Sequence, residues 1–119
     1  MAAQSVERPQ PPEPLPSHVV DSPCHLDMCA ADGGPTVAEA LAAAAGVGVT
    51  KMIQVGCDVQ GSRWAAQVAA DYDDIWAAVA LHPNEAPKIH ATGGLTLLEA
   101  AWREIGELAE PPQVRAIGE

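Results

Sequence analysis

The sequence predicts an α/β protein, a single parallel unit of order β-α-β-α-β-α-β behind a Pro-rich tail. Three observations predict it. Four short apolar runs, rich in Val, Ile and Ala and closed by Gly, Pro or Asp, have the length of buried strands. Between them lie longer segments with helical spacing, two of them opened by Thr-x-x-Glu capping boxes. Strict alternation of this kind implies parallel strands joined by right-handed crossovers. At 119 residues the chain permits one small domain, residues 18–119, enough for half of a (β/α)8 barrel, which takes roughly 250 residues. The alternation alone does not separate half a barrel from an open doubly wound sheet.

Each element follows in order. Residues 1–17 hold Pro9, Pro11, Pro12, Pro14 and Pro16, which remove backbone donors and enforce extended geometry, so this stretch reads as a disordered tail. Val19 to Ser22 is the first strand. Thr36 and Glu39 form a capping box for a helix that runs to about Ala45, with Val37, Leu41 and Ala44 on one face and Gly46 as a left-handed stop. Lys51 to Cys57 is the second strand. A helix from about Gly61 to Tyr72 carries Trp64, Val68 and Tyr72 four apart. Ile75 to Leu81 is a continuous apolar strand. A second capping box, Thr96 to Glu99, starts a helix with Leu95, Leu98, Trp102, Ile105 and Leu108 at helical spacing, ended by Pro111 and Pro112. Val114 to Gly118 is the fourth strand.

Composition narrows the functions. The formal charge is −10, from 16 acidic and 6 basic residues. No basic surface exists to release counterions from nucleic-acid phosphates, so a phosphodiester substrate requires bound divalent cations. Three cysteines, Cys24, Cys29 and Cys57, argue against a disulfide framework. No run is long enough to cross a bilayer, residues 1–17 hold no apolar signal region, and the expected location is the cytoplasm.

In parallel β/α folds, ligands gather at the carboxyl ends of the strands. The first end carries Asp21, Pro23, His25 and Asp27. Positions 23 and 25 of a strand face the same side, and two imidazoles there would grip one metal ion. Only His25 has a ring nitrogen to offer; Pro23 has no free lone pair. The second end carries Gly56, Cys57 and Asp58. The third carries His82, Pro83, Asn84 and Glu85, and the fourth Glu119. A local zinc site from Cys24, His25, Asp27 and Cys29 is a further candidate, with a spacing irregular for a zinc module.

Four blocks carry a resemblance: Asp21-Ser22-Pro23-Cys24-His25-Leu26-Asp27, Val55-Gly56-Cys57-Asp58, Ala80-Leu81-His82-Pro83-Asn84-Glu85-Ala86 and Ala116-Ile117-Gly118-Glu119. Found in this order, from about residue 18 to the end, they resemble the amino-terminal part of the TatD family of metal-dependent deoxyribonucleases. The resemblance implies a TIM barrel that hydrolyses DNA phosphodiester bonds with two divalent ions per site, Mg, Mn or Zn. It implies metal ligation by His25 and Glu119 and substrate contact by His82. The chain departs from the family pattern at Pro23, where the first His of a His-x-His pair is expected, at Asn84, where a further His is usual, and at Ala80, where Gly is usual. The remaining ligands of the family come from later strands.

These readings combine into an expectation of a truncated metallohydrolase, inactive alone, whose open sheet invites self-association. Its exposed inner face is expected to carry Val20, Val55, Val79 and Ile117. Two other functions remain open: a non-catalytic half-barrel that serves as an assembly module, and a related metal-dependent hydrolase acting on amides or esters.

Overall fold

A computed structural model describes residues 7–119. The expected tail falls partly at residues 1–6, outside the described residues. Residues 7–17 form neither helix nor strand and are exposed, and the Leu15 N–H donates to the Val47 carbonyl at 2.9 Å.

The elements are β1 (Val19–Cys24), α1 (Leu26–Ala31), α2 (Val37–Gly46), β2 (Val49–Val55), α3 (Val59–Asp71), β3 (Ile75–Val79), α4 (Glu85–Leu108) and β4 (Val114–Ile117). All four strands are parallel, in the spatial order β1-β2-β3-β4. This order removes the ambiguity left by the sequence. A doubly wound sheet reverses its strand order at a switch point. Here the order never reverses, so the right-handed crossovers keep every helix on one face, as in the first half of a barrel.

That helix-covered face holds the core. Met52 of β2, Ile75, Ala77 and Val79 of β3 and Val114 of β4 pack with Ala65, Ala66, Val68 and Ala69 of α3 and Ile105 of α4. Val37, Leu41 and Ala44 of α2 pack against the same cluster, as do Trp64 and Tyr72. Among the described residues, no helix covers the opposite sheet face. It carries Lys51 and Arg115 on either flank of Trp76, with Nζ 4.8 Å and Cζ 5.2 Å from the ring centroid. Cations over an indole face are attracted by its quadrupole, and both stems cover apolar surface.

Several boundaries depart from expectation for local reasons. Gly46 stays helical; the left-handed position is Gly48 at φ 94°, so the chain turns two residues later. Asp58 caps α3, its side chain accepting the Gly61 N–H at 2.6 Å, so that helix opens at Val59. The helix expected from Thr96 is the second half of α4. Gly94, at φ 68° and ψ −164°, breaks α4 in a region essentially reserved for Gly, and Thr96 therefore lies inside the first turn after the break. Trp102 is 53% exposed, because the buried stripe of α4 is Leu98, Ala101 and Ile105. The expected inner-face set splits. Alternation from Ile75 sends Val79 to the helix side, and its ladder partner Ile117 shares that side at the uncovered margin. Val20, paired with Lys51, is exposed, whereas Val55 is buried. Among the described residues, no helix is long and apolar enough to cross a membrane.

Candidate metal centre at the strand ends

His25 directly follows β1 and stands at the N-cap of α1 with φ −131° and ψ 71°. Its Nδ1 atom is buried and has no hydrogen-bond partner among the described residues. The residues around it are pinned. Gln54, fully buried in β2, accepts the Leu26 N–H at 2.7 Å on Oε1 and donates from Nε2 to Asp27 Oδ1 at 2.9 Å. The Cys24 thiol donates to the Ile53 carbonyl at 3.3 Å. A buried amide survives only with its polar atoms satisfied, and here its partners lie immediately beyond the one imidazole at this corner.

The ends of β2 and β3 are joined by two devices. The His82 N–H donates to the Cys57 carbonyl at 2.7 Å. Ser62, fully buried in the first turns of α3, accepts the Ala80 N–H at 3.0 Å and donates to the Ala80 carbonyl at 3.2 Å. Gly56 admits this contact: a Cβ there would stand 2.5 Å from the Ser62 nitrogen and 2.6 Å from its Oγ. Glycine is required for close approach, not for a turn.

His82 sits just after β3, half-buried. Its Nδ1 accepts the Asn84 N–H at 3.0 Å, so the neutral ring carries its proton on Nε2. Its carbonyl accepts the Glu85 N–H at 2.8 Å as α4 begins. Gly118 extends β4 by donating to the Val79 carbonyl at 3.1 Å, and Glu119 follows, exposed.

The electrostatics of this edge are acidic. Burial, then the carboxylates of Asp58, Asp27, Glu85 and Glu119, push the Cys57 thiol above its ordinary value. Burial, followed by Asp21, Cys29 and Asp27, raises the Cys24 thiol to about 11. The Cys24 thiol keeps its proton here and spends it on the Ile53 carbonyl. The Cys24, His25, Asp27 and Cys29 set does not assemble as a metal cluster. A cleft of about 400 Å³ opens beside the edge between α3 and α4, with Asp58, Glu85 and Glu104 among its lining. Those carboxylates are engaged, Glu85 with Lys88 at 2.9 Å, Glu104 with Arg63 and Asp58 as a helix cap.

The structure thus brings His25, His82 and Glu119 to the same end of one sheet, on the ends of β1, β3 and β4. It does not gather them into one coordination group: among the described residues, no three His, Cys, Asp or Glu side chains lie together so as to hold a metal ion. The orphaned His25 Nδ1 suits a cation; the donor set as a whole does not complete a site, since catalytic metals take about three protein ligands and an open position. Sequence reasoning missed Gln54 and Ser62. The signal was there in Gln54, a polar residue inside the apolar run Met52-Ile53-Gln54-Val55.

Half a barrel whose polar residues collect at the strand ends is the architecture of barrel enzymes. The family described as TatD related DNase matches residues 20–119, and the chain belongs to that family. It is 38% identical over 102 residues to a protein of Mycobacterium tuberculosis named as an uncharacterized metal-dependent hydrolase TatD; the match covers 85% of this chain and 35% of that protein. The chain therefore spans about a third of the length of the curated relative it matches. No solved structure gives a significant match.

Proposed function

We propose that this chain carries the first half of a metal-dependent hydrolase centre of the TatD type, acting on phosphodiester bonds in DNA. The observation that supports it best is the buried, unpartnered Nδ1 of the one imidazole at the end of β1. In this reading His25 and Glu119 face the metal and His82 faces the substrate. A divalent ion, when bound in such a centre, acidifies water and offsets charge on phosphate oxygens. His82 supplies an Nε2–H held by the Asn84 N–H, oriented to donate to a phosphate oxygen. Gln54 holds Leu26 and Asp27, and so fixes the backbone that carries His25.

On this account residues 7–119 do not hydrolyse DNA by themselves, because among the described residues too few donors come together and Pro23 contributes no lone pair. A chimera tests the reading: residues 20–119 replace the matching segment of the mycobacterial relative, with and without Pro23→His. Metal-dependent DNA hydrolysis that appears with His at 23 and fades on His25→Ala supports it. A folded chimera that binds divalent ions yet leaves DNA intact overturns it.

The second reading is a non-catalytic assembly module. Pro23 at a ligand position favours it, since a structural half-barrel has no need of that lone pair.

A further inference from the structure

The cleft between α3 and α4 has no part in the hydrolase reading, and its lining has two chemistries. Val59, Ile89, Leu97 and Ala100 give it apolar walls, and the carboxylates of Asp58, Glu85 and Glu104 stand around them. We propose that this cleft binds a small organic cation, a primary amine on an apolar body, of the arylalkylamine class. The inference goes beyond the hydrolase reading and does not rest on it.

Shape comes first, and two adjacent glycines set it. α4 lines the cleft from both sides of its break, with Glu85 and Ile89 before Gly94 and Leu97, Ala100 and Glu104 after it. A straight helix offers its neighbour a ridge; the kink at Gly94 turns one half of α4 so that both halves border the same space beside α3. Gly93 makes room for Leu97, since a Cβ there would stand 2.6 Å from Leu97 Cδ2 and 2.7 Å from its Cβ. Leu97 is seated in the wall and is still 42% exposed. Its free apolar surface therefore lies in a concavity, where the body of a ligand removes it from water. The volume, about 400 Å³, is that of a small-molecule site, since such sites span about 300–1,000 Å³.

Charge selects the head group. Lys88 meets Glu85 at Oε1, Arg63 reaches across from α3 to Glu104 Oε1, and the Gly61 N–H meets Asp58 Oδ1. An ionised carboxylate accepts about four hydrogen bonds, so each of the three keeps capacity for a further donor. The Arg63 contact shows that this wall already holds a cation. Lys88 and Arg63 are both exposed, and exposed pairs of this kind hold their partners weakly, so an incoming ammonium group displaces little. An anionic ligand meets three carboxylates here, and a neutral one leaves them unused. An ammonium group supplies three donors at one point, and an apolar body behind it covers Val59, Ile89 and Leu97.

The test is an NMR titration of the full chain, labelled at its methyl groups, with phenethylamine. Phenethyl alcohol and phenylacetate serve as the neutral and anionic counterparts, and ethylamine as the head group without the body. The expected result is a saturable displacement of the Val59, Ile89, Leu97 and Ala100 methyl signals by phenethylamine, severalfold weaker with the alcohol or ethylamine and absent with phenylacetate. Added salt is expected to weaken the amine, because the attraction is partly screened. Ala100→Phe, at an exposed position on the cleft wall, fills the space and is expected to abolish binding. Glu85→Gln and Glu104→Gln keep the shape, are each expected to weaken binding severalfold, and carry the test should Ala100→Phe fail to fold. Phenylacetate binding as tightly as the amine, ethylamine matching phenethylamine, or shifts that never saturate at these methyls would overturn the proposal. So would a folded Ala100→Phe variant that binds like wild type, or a Lys- and Leu-rich helical peptide that occupies the cleft when the amine does not. None of these readouts depends on metal or turnover.

Discussion

Gln54 reaches from the interior of β2 to Asp27, its Nε2 donating to Oδ1 at 2.9 Å, while its Oε1 takes the Leu26 N–H. One buried amide therefore fixes the corner at which β1 hands over to α1. Gln54→Leu keeps much of the side-chain volume and strands both partners. Leaving a buried donor unmet costs about 2 kcal/mol. The expected outcome in urea unfolding is a loss of that size, with the His25 ring resonances displaced in NMR spectra of the folded variant. An unchanged midpoint would show that the corner holds without the amide.

Gly56 and Ser62 make a second joint. Gly56→Ala drives a methyl into the Ser62 backbone nitrogen, which cannot move without displacing α3. The expected destabilisation is about 3 kcal/mol, the upper end for overpacking. Ser62→Ala leaves the Ala80 N–H and carbonyl without their side-chain partner, at about 1–3 kcal/mol. Thermal melts of both variants measure this, and Gly56→Ala is expected to melt lower.

Gly94 is different, because a Cβ there meets nothing within 4 Å. Strain rather than space opposes substitution, since its φ of 68° with ψ of −164° suits only glycine. Gly94→Ala is expected to cost about 1–3 kcal/mol. A gain in stability would mean that α4 straightens through the break.

The Cys24 thiol gives a pH signature. Its folded value of about 11 exceeds the ordinary 9.0, burial being the larger cause. The unfolded chain therefore loses this proton first. The stability it contributes is complete below pH 9 and is lost as pH rises toward 11. Wild type is expected to lose stability across that window more steeply than Cys24→Ala, and Cys29, which is exposed, to alkylate faster than Cys24 at neutral pH. Equal slopes for the two proteins would refute the assignment.

Much of this fold was legible because alternating apolar runs and caps are local signals. The capping box at Thr36 formed as written, with Glu39 N–H to Thr36 Oγ1 at 3.2 Å and Thr36 N–H to Glu39 Oε1 at 3.3 Å. Strand order was not legible, because alternation is the same for wound and barrel-like sheets. Thr96 misled for a local reason: the backbone broke at Gly94, where glycine freedom outweighed the Thr cap. At the site, the places of His25, His82 and Glu119 at strand ends were legible from the apolar runs that precede them, whereas the roles expected of them came from the family resemblance alone. Gln54 and Ser62 were missed because their partners lie 27 or 28 and 18 residues away, and no local pattern encodes such contacts.

The proposed reading holds that the described residues gather too few metal donors to hydrolyse DNA unaided. The direct measurement is the rate of DNA hydrolysis by the purified protein, and by its Pro23→His variant, with Mg²⁺, Mn²⁺ or Zn²⁺ added. Both proteins are predicted to show no turnover above the metal alone. Metal-dependent cleavage by either, abolished by His25→Ala or Glu119→Ala, would contradict the account.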